Sequence, residues 1–216
     1  IEFPYLTAFS IGRHCSAALV HLALLAALAL GMASYARRRG YGNAGAFAAL
    51  MVFMSPLAGV DATMARTEAA LACVLFFCYY AIELWSESRQ RRMLFVAGAL
   101  LVFAIAIGVS PTTGLPVDQA AKPALLLGKA IEWTTIGSTG QGFLGPVFML
   151  APLGLLALRM DTGRKLWLAA ALSALWLIGS ARLESALPIA VFVSLAMGLA
   201  LMNSPGMLPL LVVAHA

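Results

Sequence analysis

The stretch SAALVHLALLAALALGMASYARRR, residues 16–39, decides the fold of this chain. It is an apolar run of about 20 residues followed by arginines. This pattern is typical of a helix that crosses a bilayer and ends among the lipid headgroups. The rest of the chain has the same character, because 62% of its residues are hydrophobic and only 11% are charged. Its mean hydropathy of +0.93 is far above that of soluble globular proteins. The sequence therefore predicts a polytopic membrane protein.

Further apolar runs recur to the end of the chain. They are continuous and lack the alternation of a β-barrel wall, so the predicted class is all-α. Several are shorter than the ~20 residues that cross a bilayer untilted, so some spans must be broken or include flanking residues. We expect one membrane domain over residues 1–216, a helical bundle of about seven transmembrane helices. The runs cover residues 16–36, 44–60, 69–85, 93–109, 143–160, 166–180 and 187–202.

Basic residues follow alternate runs, which is the distribution that the positive-inside rule requires of cytoplasmic loops. The predicted cytoplasmic loops are residues 37–43, 86–92 and 159–165, and the predicted extracytoplasmic loops are residues 61–68, 110–142 and 179–186. The net charge of +5 is then a topology signal. Nucleic-acid binding is not indicated, since the basic clusters are short, lie at membrane boundaries and have no interleaved aromatic residues.

The outward loop DATMARTE, residues 61–68, contains Asp61, Arg66 and Glu68. Ionisable groups are unfavourable beside hydrocarbon, so such a group needs a partner. A metal, a phosphate or a sugar would serve, and so would an ion pair within the loop or a cation that extends to the headgroups. A second outward loop, GSARLESALP, places Arg182 and Glu184 between two apolar runs, and an interfacial ion pair is open there too.

The remaining features add little chemistry. The loop at residues 110–142 is rich in proline and glycine, but it contains neither a Walker A motif nor a dinucleotide fingerprint. Cys15, Cys73 and Cys78 have neither zinc-site spacing nor a disulfide pattern. His21 has no second His or Cys at helical spacing, which favours a packing residue over a metal ligand.

Residues 10–85 resemble the early membrane core of the GT-C class glycosyltransferases that use polyprenyl-phosphate sugars, such as bacterial protein O-mannosyltransferases and aminoarabinose transferases. The resemblance begins with Arg13 and Ser16 at the start of a helix and a basic turn containing glycine. It continues with Ser55-Pro56 at the end of a span, and with an Arg-x-acid step at Arg66 and Glu68. The stretches GQGFLGPVFMLAPLGLLALR and ARLESALPIAVFVSLAMGLAL resemble later spans, whereas residues 104–135 depart from the family.

The resemblance implies a GT-C-like bundle in the bacterial inner membrane that acts on its extracytoplasmic face. The donor would be a polyprenyl-phosphate-linked sugar, and the acceptor a lipid, a protein or a glycan. The donor phosphate would be bound by Arg66 and Arg182. A polar site would be lined by Asp61, Glu68 and Glu184, and a divalent metal as cofactor stays open. The general base is expected upstream of Ile1, which would make this chain a fragment. Two alternatives stay open: a transporter or flippase, and a non-catalytic membrane assembly protein.

Overall fold

The structure is a computed structural model that describes residues 14–56, 58–59, 67–108, 144–179 and 186–203. The predicted all-α class is confirmed, because these residues form seven helices and no strand. The α-helices are α1 (His14–Arg38), α2 (Gly42–Phe53), α3 (Thr67–Ser88), α4 (Arg91–Gly108), α5 (Asp161–Gly179) and α6 (Leu187–Met202), and a 3₁₀ helix (Pro146–Arg159) lies between α4 and α5.

Each helix coincides with one of the apolar runs, and proline explains the two largest differences. The second run was predicted to reach residue 60, but α2 ends at Phe53. Pro56 follows, and proline lacks the N–H that would continue the helix and restricts the residue before it. The fifth run forms a 3₁₀ helix with proline at its start and Pro152 inside it.

Successive helices alternate in direction, so the bundle has two distinct ends. The last residues of α1 bind those of α3 through Arg38 and Glu87, and Lys165 near the start of α5 binds Glu83 of α3. We call this the basic end, because all three predicted basic loops lie there. At the opposite end, the distal end, the start of α3 packs with Ile107 of α4 and Ile189 of α6.

Helix α6 lies at the centre of the bundle. Fourteen of its residues are buried, from Leu187 to Leu201 with Ile189 excepted. It approaches α2 closely at Gly198, where a Cβ atom would lie 2.6 Å from the carbonyl oxygen of Ala44. Small residues permit such close backbone packing between membrane helices. Phe192 of α6 also contacts the rings of Phe76 and Tyr79 in α3. The core therefore joins α2, α3 and α6.

The outer surface of the bundle is strongly apolar. Two helical segments, Ala18–Arg38 and Glu68–Ser88, are long and apolar enough to cross a membrane, which indicates membrane association. The number of spans predicted from the sequence remains a prediction, since the other apolar helices of the described chain are shorter or fall outside that criterion. Large exposed apolar side chains lie on several helices, among them Leu19 and Leu30 of α1, Phe95 and Val102 of α4, and Leu168 and Leu175 of α5.

Candidate functional site

Glu68 is the predicted site residue that the structure describes. It lies in the first turn of α3 at the distal end of the bundle and is partly buried. Its Oε2 atom is inaccessible to solvent, and no described residue provides a hydrogen-bond partner for it. A buried polar atom without a partner costs about 1–3 kcal/mol, more if it is charged. Glu68 therefore presents an unsatisfied acceptor.

The other predicted site residues lie outside the described residues. These are Asp61 and Arg66, which precede α3, and Arg182 and Glu184, which precede α6. The two helices that follow these loops start side by side, since Ile189 of α6 packs against the cluster formed by Ala70 and Leu71 of α3. The roles of the four residues thus stay predictions.

Two further buried polar atoms at the distal end lack partners among the described residues, namely Ser55 Oγ and Trp176 Nε1. Ser55 follows α2 and is 3% exposed, and Trp176 lies in the last turn of α5. By contrast, Trp167 near the start of α5 donates its Nε1 hydrogen to the Gly154 carbonyl at 2.8 Å. The distal end thus contains a carboxylate acceptor, a hydroxyl and an indole donor that have no partner among the described residues.

The basic end has the opposite character, because its buried acid is fully paired. The side chain of Glu83 is 8% exposed and binds both the Arg39 guanidinium and Lys165 Nζ, the latter at 3.0 Å. Glu87 one turn later accepts from Arg39 Nη1 at 2.7 Å and from Arg38 Nη2 at 3.1 Å. These ion pairs connect α1, α3 and α5, so this cluster holds three helix ends together.

A cluster of aromatic rings lies between the ion pairs and the core of the bundle. The hydroxyl groups of Tyr35 and Tyr79 are 2.9 Å apart and hydrogen-bonded. The Arg39 guanidinium carbon lies 5.9 Å from the centre of the Tyr35 ring, and the rings of Phe76 and Tyr80 also contact Tyr35. These rings lie beside the largely buried pair of Arg39 and Glu83 and limit its contact with water, which strengthens that pair. We therefore assign the basic end a structural role.

Sequence reasoning missed Glu83, Glu87 and Trp176, and it named Ser55 only as part of Ser55-Pro56 at the end of a span. Glu83 and Glu87 are spaced four apart near the end of an apolar run, and this spacing places both on one helix face. That pattern could have suggested a partner from the basic loops. It could not have identified Arg39, which is 44 residues away along the chain. Ser55 and Trp176 carry no sequence signal that separates them from ordinary helix residues.

The described part of the chain contains no group of three or more His, Cys, Asp or Glu side chains that would hold a metal ion. The divalent metal left open by the sequence stays a prediction. Comparison with known proteins finds no matching family model, no similar curated protein and no similar solved structure.

Proposed function

We propose that this protein is the membrane core of a glycosyltransferase that moves a sugar from a polyprenyl-phosphate donor to an acceptor at the distal, extracytoplasmic end. The observation that carries the proposal is the unsatisfied Glu68 carboxylate at the start of α3. It belongs to the DATMARTE loop, which also contains Asp61 and Arg66 and carries part of the resemblance to GT-C enzymes.

The apolar exterior supports a polytopic membrane placement. A core helix of a soluble protein is mostly buried, whereas only 33% of the apolar window in Ala18–Arg38 is buried in the bundle. Phe95 of α4 is 78% exposed and Leu30 of α1 is 72% exposed. Exposed apolar surface of this extent is unfavourable in water and favourable against lipid chains. The shorter helices would then cross the bilayer together with flanking residues from the loops.

The separation of the two ends supports a distal site. Glu68 and Glu83 are on the same helix and fifteen residues apart, which corresponds to roughly 22 Å along its axis. With the basic end in the cytoplasm, as the positive-inside rule predicts, Glu68 would lie near the opposite surface of a hydrocarbon core about 30 Å thick. A polyprenyl-phosphate donor has its phosphate at that depth while its chain lies among the lipid tails.

The chemistry needs a base for the acceptor and a cation for the leaving phosphate. As the acceptor hydroxyl or amine attacks the anomeric carbon, it loses a proton, and the bond from that carbon to the lipid phosphate breaks. Arg66 and Arg182 would bind the phosphate through their forked donors. Glu68, with Asp61 and Glu184, would orient sugar hydroxyls. None of these residues is assigned as the base.

The test is transfer by the full-length protein from polyprenyl-phosphate donors that carry a hexose or a pentose. We expect Glu68→Gln to reduce transfer roughly tenfold or more, because the amide keeps the shape but loses a charge-assisted contact. The matched control is Glu87→Gln, the same change on the same helix at the basic end, which should retain transfer.

Two outcomes would overturn the proposed activity, and a third would remove Glu68 from it. Wild-type transfer by the Glu68→Gln protein would show that Glu68 does not contribute to transfer. Movement of a labelled donor lipid across the membrane without transfer would identify a flippase. Absence of both transfer and movement in the full-length protein would favour a non-catalytic membrane assembly protein.

A further inference from the structure

The basic end has more cations than its acids can pair. The acids described there are Glu83, Glu87 and Asp161. Each of them already forms an ion pair with a cation from the set Arg38, Arg39, Arg164 and Lys165. No ion pair is present in the described structure for the remaining arginines, and all of them are exposed. The unpaired set consists of Arg37, Arg89, Arg91, Arg92 and Arg159.

Three of these unpaired arginines are concentrated at the turn between α3 and α4. Arg89 has a left-handed backbone conformation with φ of 56°, and its guanidinium carbon lies 5.5 Å from the centre of the Trp85 ring. Arg91 and Arg92 form the first turn of α4. Tryptophan and arginine together are typical of the depth of lipid headgroups. This turn is therefore a concentrated positive charge at the expected membrane surface.

The apolar face of α4 continues directly from this charge. Helix α4 packs mainly against α3, and one turn after Arg91 and Arg92 the side chains of Leu94 and Phe95 are exposed. Exposed Val102 lies two turns beyond Phe95 on the same face, and a Cβ atom at Gly98 between them would meet no neighbour within 4 Å. The surface is thus positively charged at one end and apolar along about two further turns.

We infer that this surface, formed by Arg89, Arg91 and Arg92 with the exposed face of α4, binds an anionic phospholipid of the cytoplasmic leaflet. The phosphate would contact the guanidinium groups, and an acyl chain would lie along Phe95, Gly98 and Val102. The inference rests on the membrane placement in the proposed function, but it does not depend on glycosyl transfer. Charge complementarity favours an anionic lipid over a second copy of the chain. A second copy would place its own positively charged turn against the first, and the two turns would repel each other.

The experiment is native mass spectrometry of the full-length protein in detergent, titrated with phosphatidylglycerol or with phosphatidylcholine as the zwitterionic reference. The test variant is Arg91→Gln with Arg92→Gln. The control variant is Arg37→Gln with Arg159→Gln, which removes two unpaired arginines from the same end but away from α4. We expect the wild type and the control to retain phosphatidylglycerol selectively. The test variant should bind it about twenty-five-fold more weakly, since each of the two cations near an anionic headgroup contributes roughly fivefold.

Equal weakening in both variants would show a diffuse charge effect and overturn the site, as would equal retention of both lipids by the wild type. Disulfide-linked dimers of a Gly98→Cys variant, formed readily in membranes, would mean that a second copy covers the α4 face. Release of the wild type from membranes by alkaline carbonate is a separate result. It would overturn the membrane placement itself and would be seen before any lipid titration.

Discussion

Helix α3 has a glutamate near each of its ends, and the two glutamates differ in whether their carboxylates have partners. Glu83 at the basic end is buried and bound by two cations, whereas Glu68 at the distal end has a buried oxygen without a partner among the described residues. A buried charge that is fully paired is tolerated as part of a stable interior, but an unpaired one lowers stability. A water molecule, an ion or a ligand can supply such a missing partner. The comparison therefore contrasts an end whose buried acid is paired within the bundle with an end whose acid can still accept a partner.

The largest effect should come from breaking the paired end. Glu83→Gln would leave Lys165 without its carboxylate and Arg39 with only Glu87. Removal of one member of a buried ion pair costs about 3–5 kcal/mol, and we expect a loss near the lower figure because Arg39 keeps one partner. The measurement is the free energy of unfolding in mixed micelles titrated with a denaturing detergent. An unchanged value would contradict the structural role of this cluster.

At the distal end the expected effect is on binding. Arg66→Ala and Arg182→Ala should each weaken binding of undecaprenyl phosphate, the probe for the donor's lipid phosphate, by on the order of 1.5–3 kcal/mol or roughly ten- to hundredfold. Lysine at either position should restore binding only in part, because an ammonium lacks the fork of donors. We expect Arg182 to have the larger effect. Unchanged binding in both alanine variants would exclude these residues as the phosphate site.

The closeness of α6 to α2 gives a smaller effect on stability. Gly198→Val would place a side chain against the Ala44 carbonyl, and overpacking of this kind costs typically about 1–3 kcal/mol. The matched control is Gly98→Val on α4, where an added Cβ atom meets nothing within 4 Å. Thermal unfolding in detergent should separate the two variants. Equal loss of stability in both variants would mean that the close approach of α6 to α2 does not set the result.

The smallest effect should come from Glu87→Gln. The Glu87 side chain is 34% exposed, and its partner Arg38 is 51% exposed, so water screens this pair. Exposed ion pairs contribute about 0–1 kcal/mol. In the same detergent titration, the loss should therefore be well below that of Glu83→Gln. A loss as large as that of Glu83→Gln would show that the cluster acts as one network and not through the buried acid.

Most of the fold follows from hydrophobicity along the chain, because every described helix coincides with a predicted apolar run. The 3₁₀ helix and the early end of α2 do not follow from hydrophobicity, since they depend on where Pro152 and Pro56 interrupt backbone hydrogen bonding. The positions of the basic residues indicate which loops share a side. They do not indicate that Arg39 and Lys165 meet at one acid, which depends on the rotation of three helices about their axes.

The candidate site could be predicted only in part. Glu68 stands out in sequence because it is an acid at the start of an apolar run. Its role in a site stays a prediction, and the structure adds that its Oε2 atom is buried without a described partner. Ser55 and Trp176 could not be recognised, because serine and tryptophan near helix ends are usually satisfied by the backbone or by water. What distinguishes them is the absence of a described partner, and only three-dimensional packing reveals it.

The most direct test of the account is the sidedness of the two ends, measured with a thiol reagent that does not cross membranes. Gly40 at the basic end and Gly59 near the distal end are both exposed, and an added Cβ atom at either meets nothing within 4 Å. In intact cells, and with the unsubstituted protein as blank, we predict that Gly59→Cys is labelled and that Gly40→Cys is labelled only after permeabilisation. Labelling of Gly40→Cys from outside intact cells would contradict the topology and, with it, the extracytoplasmic site.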